Sequence, residues 1–152
     1  MKLPDVEPGG HVDPSPATFV EGLATGTYLA MRGKEECYRA QRYGRPLALV
    51  VAWLDQPDPA TENRLQTWLR SQTRASDIVA YLGSSTYAML LPESDQEGAS
   101  GIIKRMRLAL PQLIAFNGSY PTDGATWEDF FGNVCRKISE GPGDKKRRSQ
   151  AS

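Results

Sequence analysis

The chain has 152 residues, of which 39% are hydrophobic and 24% charged, and its formal net charge is zero. That length provides one domain with a proper core and is too short for two. The lack of net charge excludes a general electrostatic field that would attract duplex DNA. The only histidine, His11, lies among prolines and glycines near the start of the chain, so no histidine-dependent catalytic or metal site is expected inside the fold.

Two polar segments flank the predicted domain, which spans residues 19–140. Residues 1–18 are rich in proline and poor in apolar residues, so they cannot bury enough surface to offset the entropy of ordering, and we expect a disordered leader. Residues 141–152 begin with Gly-Pro-Gly and continue into four basic residues, which is typical of a solvated, disordered basic tail.

Cellular context is indicated by what the sequence lacks. The first residues do not form a basic, then apolar, secretory signal. No apolar stretch approaches the ~20 residues that a membrane span needs. Cys37 and Cys135 lie far apart in the chain, so the sequence favours a cytoplasmic protein with two free thiols and no membrane insertion.

The first half of the domain contains three predicted elements. A helix is expected over residues 22–43 and ends at Gly44. The continuous apolar run Leu47–Leu54 predicts a strand that is buried on both faces. A second helix is expected from Thr61, as its N-cap, through Arg74.

The second half begins with a hairpin. The β-type runs Asp77–Leu82 and Thr86–Leu91 are separated by a short Gly-Ser-Ser turn. Ser94 and Glu97 form a capping box for a third helix. A weaker strand is expected over residues 112–119, and Thr126 begins the last helix.

The order of elements after the first helix is therefore βαββαβ, followed by a further helix. This order predicts an α+β fold with the ferredoxin-like arrangement, in which one antiparallel sheet has helices packed on one face. Since many unrelated functions use that scaffold, the fold alone does not assign one.

The predicted hairpin, residues 76–92, resembles the signature hairpin of GGDEF domains, the diguanylate cyclases. In that family the strand leads into Gly-Gly-Asp/Glu-Glu-Phe, whereas the corresponding segment here is Gly83–Tyr87, which keeps only the first glycine and a final aromatic residue. The segments Arg42–Leu49 and Tyr120–Gly124 resemble the family's entry into its first strand and its Tyr-Pro-x-Asp-Gly turn. The resemblance spans about residues 22–139 and implies a degenerate GGDEF-like domain.

The resemblance also implies that catalysis has been lost. A diguanylate cyclase joins two GTP molecules with the help of metal ions held by carboxylates. The family's metal-binding aspartate falls at Trp53 and its hairpin acid falls at Ser85, while Asp55 alone makes a poor divalent site. The segment between Asp55 and Asp77 is also shorter than in the family. We therefore expect no catalytic residue, no metal and no cofactor.

The resemblance further implies a ligand site. Many GGDEF domains carry Arg-x-x-Asp five residues ahead of the signature, where it binds the product cyclic di-GMP. Arg74-Ala75-Ser76-Asp77 matches this pattern and this offset from Gly83. In the same alignment the family's third binding arginine falls at Arg105. A further arginine, which some members contribute across a dimer, falls near Arg39.

The chemistry of these residues suits the dinucleotide. A guanidinium can bond to guanine O6 and N7 and can stack on the purine, while a carboxylate accepts bonds from N1–H and the amino group. The alternative interpretation is that Arg74 and Asp77 form a surface ion pair worth ~0–1 kcal/mol. Arg105 can likewise be an ordinary solvated helix residue.

The leading hypothesis is a non-catalytic cyclic di-GMP receptor that regulates a separate protein partner, in a bacterial pathway such as exopolysaccharide secretion, biofilm formation or motility. The alternative is a nucleotide-independent interaction or dimerisation module on a degenerate cyclase fold. A residual GTP-binding or GTP-hydrolysing enzyme is a third hypothesis, which the missing carboxylates disfavour.

Overall fold

The computed structural model describes residues 20–151, with side chains described for residues 20–139. The predicted leader at residues 1–18 lies outside the described residues and remains a prediction. Residues 141–151 of the predicted disordered basic tail differ from that expectation, because their backbone continues the last helix, while their side chains lie outside the description. No helix in the described range is long and apolar enough to cross a membrane.

Four helices and four strands make up this part of the chain. In chain order they are α1 (Gly26–Tyr43), β1 (Leu47–Trp53), α2 (Pro59–Gln72), β2 (Ile78–Gly83), β3 (Thr86–Pro92), α3 (Gln96–Ala109), β4 (Ile114–Tyr120) and α4 (Trp127–Ala151). The strands form one sheet in the order β2-β3-β1-β4, and every neighbouring pair is antiparallel. The predicted α+β fold with a ferredoxin-like βαββαβ sheet is confirmed.

The sheet is covered on both faces because β1 is apolar on both faces. Leu47, Leu49 and Val51 pack into a core with side chains of α1 and α4. The alternate residues of β1 pack into a second core with side chains of α2 and α3. The prediction that helices cover one face holds for α2 and α3 only, since α1 and α4 bury the other apolar side of the sheet.

The hairpin forms at the predicted place. Ser84 and Ser85 both have positive φ, 48° and 57°, as a two-residue type I′ turn requires. The first helix starts later than predicted, at Gly26 after its N-cap Thr25. The residues just before it instead pair with the edge of β2, because Ala24 N donates to Val79 O at 2.8 Å and Tyr81 N donates to Ala24 O at 3.0 Å.

Two predicted helix caps are wrong by a few residues. Asp58 rather than Thr61 caps α2, since its carboxylate accepts from Thr61 N at 2.7 Å. Asp95 rather than Ser94 caps α3, accepting from Gly98 N at 2.8 Å. In both cases an aspartate, a strong N-cap residue, was available near the predicted position.

Candidate functional site

The turn between α2 and β2 holds Arg74 and Asp77 in direct contact. Asp77 N donates to Arg74 O at 3.0 Å. Arg74 N donates to Asp77 Oδ2 at 2.9 Å, and Arg74 Nη2 lies 3.0 Å from Asp77 Oδ1. The Asp77 side chain is only 2% exposed, whereas that of Arg74 is 53% exposed. The aspartate is therefore a buried acceptor that closes the turn, and the arginine covers it from the solvent side.

The Arg74 guanidinium also ties this turn to the end of β3. Its Nη2 donates to Pro92 O at 2.9 Å and to Ser94 Oγ at 3.0 Å. Ser94, predicted as a helix cap, thus serves as an acceptor for Arg74. The pair is consequently part of a local hydrogen-bond network that fixes the start of β2 against the end of β3.

Asp77 also lines a cavity of about 930 Å³ between α1 and the start of β2. Four arginines, three acids and two tyrosines contribute to its wall, so it is polar, charged and partly aromatic. These residues are Arg32, Arg39, Arg45, Arg70, Glu36, Asp77, Glu93, Tyr28 and Tyr43. Arg74 stands at the border of the cavity, because it is bonded to Asp77 and Pro92, which both line it.

The charged side chains that line this cavity differ in how closely they are paired. Glu36 is nearly buried and accepts from Arg32 Nη2 at 3.1 Å, while the more exposed Arg39 lies 3.8 Å from the same carboxylate oxygen. Arg45 and Glu93 form an exposed pair at 2.5 Å. Among the cavity arginines that form ion pairs, Arg39 therefore has the longest and weakest contact. Arg39 and Asp77 of the same chain line the same cavity.

Arg105 lies elsewhere. It is exposed on α3, the helix that packs on the face of the sheet opposite to α1. It is not among the residues that line the cavity beside Asp77. The structure thus brings Arg74, Asp77 and Arg39 to one region and leaves Arg105 on a different helix.

The hairpin end of β2 presents different chemistry. Trp53 is buried in β1, and Ser85 Oγ donates to Glu62 Oε1 at 2.9 Å. The other carboxylate oxygen of Glu62 is buried and has no hydrogen bond to a described residue. Close by, Gln66 donates to the Tyr87 hydroxyl at 2.9 Å, and burial raises the pKa of that phenol. The sequence did not single out this polar cluster, because Glu62 and Ser85 belong to separate elements.

A divalent metal does not fit this end of the sheet. Such a metal needs several oxygen ligands, chiefly carboxylates. An indole and a hydroxyl stand at Trp53 and Ser85, and residues 20–139 contain no cluster of three or more His, Cys, Asp or Glu side chains suited to a metal ion.

Similarity to known proteins rests on three-dimensional structure. No family model matches the chain, and no curated protein sequence matches it significantly. A sensory box/GGDEF family protein from Caulobacter crescentus superposes with a TM-score of 0.65 and 20% identity, over 76% of this chain and 90% of that one. A truncated YfiN from Pseudomonas aeruginosa, comprising only the GGDEF domain, superposes with a TM-score of 0.67 and 19% identity, over 82% of this chain and 84% of that one.

A third similar structure is the GGDEF domain of DgcB from Caulobacter crescentus in complex with c-di-GMP. It superposes with a TM-score of 0.66 and 11% identity, over 91% of this chain and 93% of that one. Identities at this level establish the fold. The chain has the fold of a GGDEF domain, and this agrees with the resemblance carried by its hairpin.

The cavity-lining tyrosines and Arg70 were missed in the sequence. The signal for the α1 part was the spacing of Tyr28, Arg32, Arg39 and Tyr43, which places polar and aromatic side chains along one helical face. Arg70 gave no local signal, because only the tertiary packing of α2 brings it to the same cavity.

Proposed function

We propose that this protein is a non-catalytic receptor for cyclic di-GMP, which binds in the cavity beside the Arg74–Asp77 pair and regulates a separate protein. The observation that carries this proposal is the cavity itself. Its volume of about 930 Å³ lies near the upper end of the ~300–1,000 Å³ that is typical of ligand sites. It combines guanidinium groups, a buried carboxylate and aromatic rings on a GGDEF-like fold.

The lining matches the chemistry of the ligand. Cyclic di-GMP has two phosphates, each of which suits an arginine fork, and two guanines. A guanidinium bonds to guanine O6 and N7, while a carboxylate such as Asp77 accepts from the N1–H and amino donors. Four arginines and three acids line the cavity, so its wall has a positive excess toward a dianion.

Binding requires Arg74 to exchange partners. In the structure both oxygens of Asp77 accept from Arg74. The guanidinium is half exposed and the Asp77 carboxylate is only 2% exposed, so the ion pair can open only as other donors reach the carboxylate from the solvent side. Guanine donors can then replace the guanidinium at Asp77, while the backbone bond from Arg74 N keeps the turn closed.

The absence of catalysis is part of the proposal. Trp53 and Ser85 stand where the family resemblance places metal-binding acids, and the Ser85 hydroxyl is bonded to Glu62. Incubation with GTP and Mg²⁺ or Mn²⁺ should give no cyclic di-GMP and no guanosine product on chromatography. Product formation that depends on this protein would contradict this part of the proposal.

Isothermal titration calorimetry tests the binding. The wild-type protein should bind cyclic di-GMP with micromolar or better affinity, and Arg74→Ala and Asp77→Asn should weaken binding at least tenfold. Arg64→Ala is the matched control, since Arg64 is an exposed arginine of α2 outside the cavity. No heat with wild-type protein at high micromolar ligand would refute the receptor function.

A nucleotide-independent interaction module is the second candidate. The outer side of α1 exposes Met31 and Tyr38 at 51% and 60%, and exposed large apolar side chains mark many protein interfaces. The Arg74–Asp77 pair would then only close its turn. This candidate predicts no response to cyclic di-GMP, together with self-association in sedimentation that Tyr38→Ala weakens.

A further inference from the structure

We infer that the cyclic di-GMP site is completed within one chain, with Arg39 as a phosphate contact in cis and Tyr43 as a stacking surface for guanine. This inference rests on the proposed function and deepens it. Its basis is that Arg39 and Tyr43 of α1 line the same cavity as Asp77 of the same chain. A second protomer is therefore not needed to supply the arginine.

The α1 wall of the cavity is a single helical face. Tyr28, Arg32, Glu36, Arg39 and Tyr43 follow one another at intervals of three or four residues, which places them along one side of a helix. The end of α2 and the start of β2 form the facing wall. A ligand between these walls contacts α1 and the Arg74–Asp77 turn simultaneously.

Arg39 is the cavity arginine best placed to bind a phosphate. Arg32 already neutralises Glu36 at 3.1 Å, and Arg70 Nη1 donates to Glu21 O at 2.9 Å. Arg39 is 65% exposed, and its only ion pair among the described residues is the 3.8 Å contact with Glu36. It can turn to a ligand phosphate without leaving a buried carboxylate unpaired, because Arg32 remains at Glu36.

Tyr43 offers an aromatic face in the same cavity. Its side chain is 61% exposed, and the Arg42 guanidinium carbon lies 5.6 Å from its ring centroid. A cation on one face leaves the opposite face for a purine, which would be stacked in a guanidinium–phenol–guanine sandwich. Tyr43 is the last residue of α1, and Gly44 follows it with a left-handed φ of 62°, so the ring is held at a fixed helix end.

Single variants test the two contacts by calorimetry with cyclic di-GMP. Tyr43→Ala should weaken binding about 5- to 150-fold, the usual effect of removing one aromatic stacking partner, and Arg39→Ala should weaken it at least tenfold. Met31→Ala on α1 and Arg64→Ala on α2 are controls at exposed residues outside the cavity and should bind as the wild type does. Wild-type affinity in both Arg39→Ala and Tyr43→Ala would overturn the inference.

A mixing experiment distinguishes a site within one chain from a site shared between two. Arg39→Ala and Arg74→Ala chains are combined in equal amounts, unfolded together in urea and refolded, then titrated with cyclic di-GMP. A shared site would recover about a quarter of the wild-type stoichiometry, because each mixed dimer contains one intact site. A site within one chain recovers none.

The outcomes separate the two proposals. If the wild type binds cyclic di-GMP and the mixture recovers binding, the receptor function stands and the inference about one chain is refuted. If the wild type does not bind at all, the receptor function itself fails. Arg39 and Tyr43 are exposed on α1, so their alanine variants should fold normally. Urea unfolding curves of each variant verify that a loss of binding is not a loss of folding.

Discussion

Replacing Asp77 with alanine removes the acceptor that closes the turn between α2 and β2. The carboxylate accepts the backbone N–H of Arg74 at 2.9 Å, much as an N-cap residue accepts a helix N–H, and losing such a bond costs about 0.5–2 kcal/mol. The half-exposed guanidinium pair adds ~0–1 kcal/mol. We therefore expect Asp77→Ala to lower the free energy of unfolding by about 2 kcal/mol.

Two comparison variants divide this loss between the backbone bond and the ion pair. Asp77→Asn keeps a side-chain oxygen that can accept from Arg74 N. Arg74→Ala keeps the backbone bond and removes only the guanidinium, with its bonds to Pro92 and Ser94. Each should cost about 1 kcal/mol, because an amide oxygen can still accept from Arg74 N in Asp77→Asn, and because water reaches the carboxylate in Arg74→Ala once the guanidinium that covers it is gone. The order of destabilisation therefore places Asp77→Ala first.

Urea unfolding followed by circular dichroism measures these differences. With a slope of about 2 kcal/mol/M, the midpoint of Asp77→Ala should fall by about 1 M and those of the other two variants by about half as much. If Arg74→Ala lost as much stability as Asp77→Ala, the ion pair rather than the backbone bond would hold the turn, and the reasoning would be refuted. Asp77→Asn and Arg74→Ala are accordingly the better variants for binding assays, because they perturb the fold less.

Two further predictions concern the core. In urea unfolding, Gly33→Ala should be less stable than Gly101→Ala by about 1–2 kcal/mol. A Cβ at Gly33 meets the buried Trp127 ring at 2.4 Å, whereas Gly101 has open space around it. Equal stabilities of the two variants would contradict this packing. Burial raises the pKa of the Cys37 thiol to about 12, so in a Cys135→Ser variant, which removes the partly buried second thiol, Cys37 should react with a disulfide reagent at pH 8 only after denaturant is added. Rapid reaction of the native variant would contradict the burial of Cys37.

The sheet was predictable from the sequence because its strands are marked locally. The run at Leu47–Trp53 is apolar at every position, which only a strand covered on both faces requires at that length. The hairpin is marked by two β-type runs and a Gly-Ser-Ser turn. The start of α1 was misplaced because residues 22–24 lie against the edge of β2, and that contact depends on residues more than fifty positions away.

The candidate site was predictable only in part, because it also combines residues that are far apart in the sequence. Arg74 and Asp77 are three residues apart, so one local pattern contains both. The cavity beside this pair is lined by α1, which lies more than thirty residues earlier in the chain. Arg39 was reached through the family alignment, but Tyr43 and its place beside Asp77 required the tertiary structure.

The proposed ligand site and the hairpin turn that resembles the GGDEF signature lie at opposite ends of β2. Its six residues, Ile78–Gly83, separate the Arg74–Asp77 turn from the hairpin turn by about 20 Å at ~3.3 Å per residue. Changes at Ser84 and Ser85 can therefore accumulate without altering the cavity beside Asp77. Restoring a glycine and an acid at these two positions would not restore a metal site, because Trp53 still occupies the other ligand position and lies buried in β1. The proposed receptor site at one end of the strand therefore does not depend on the residues of the hairpin turn at the other.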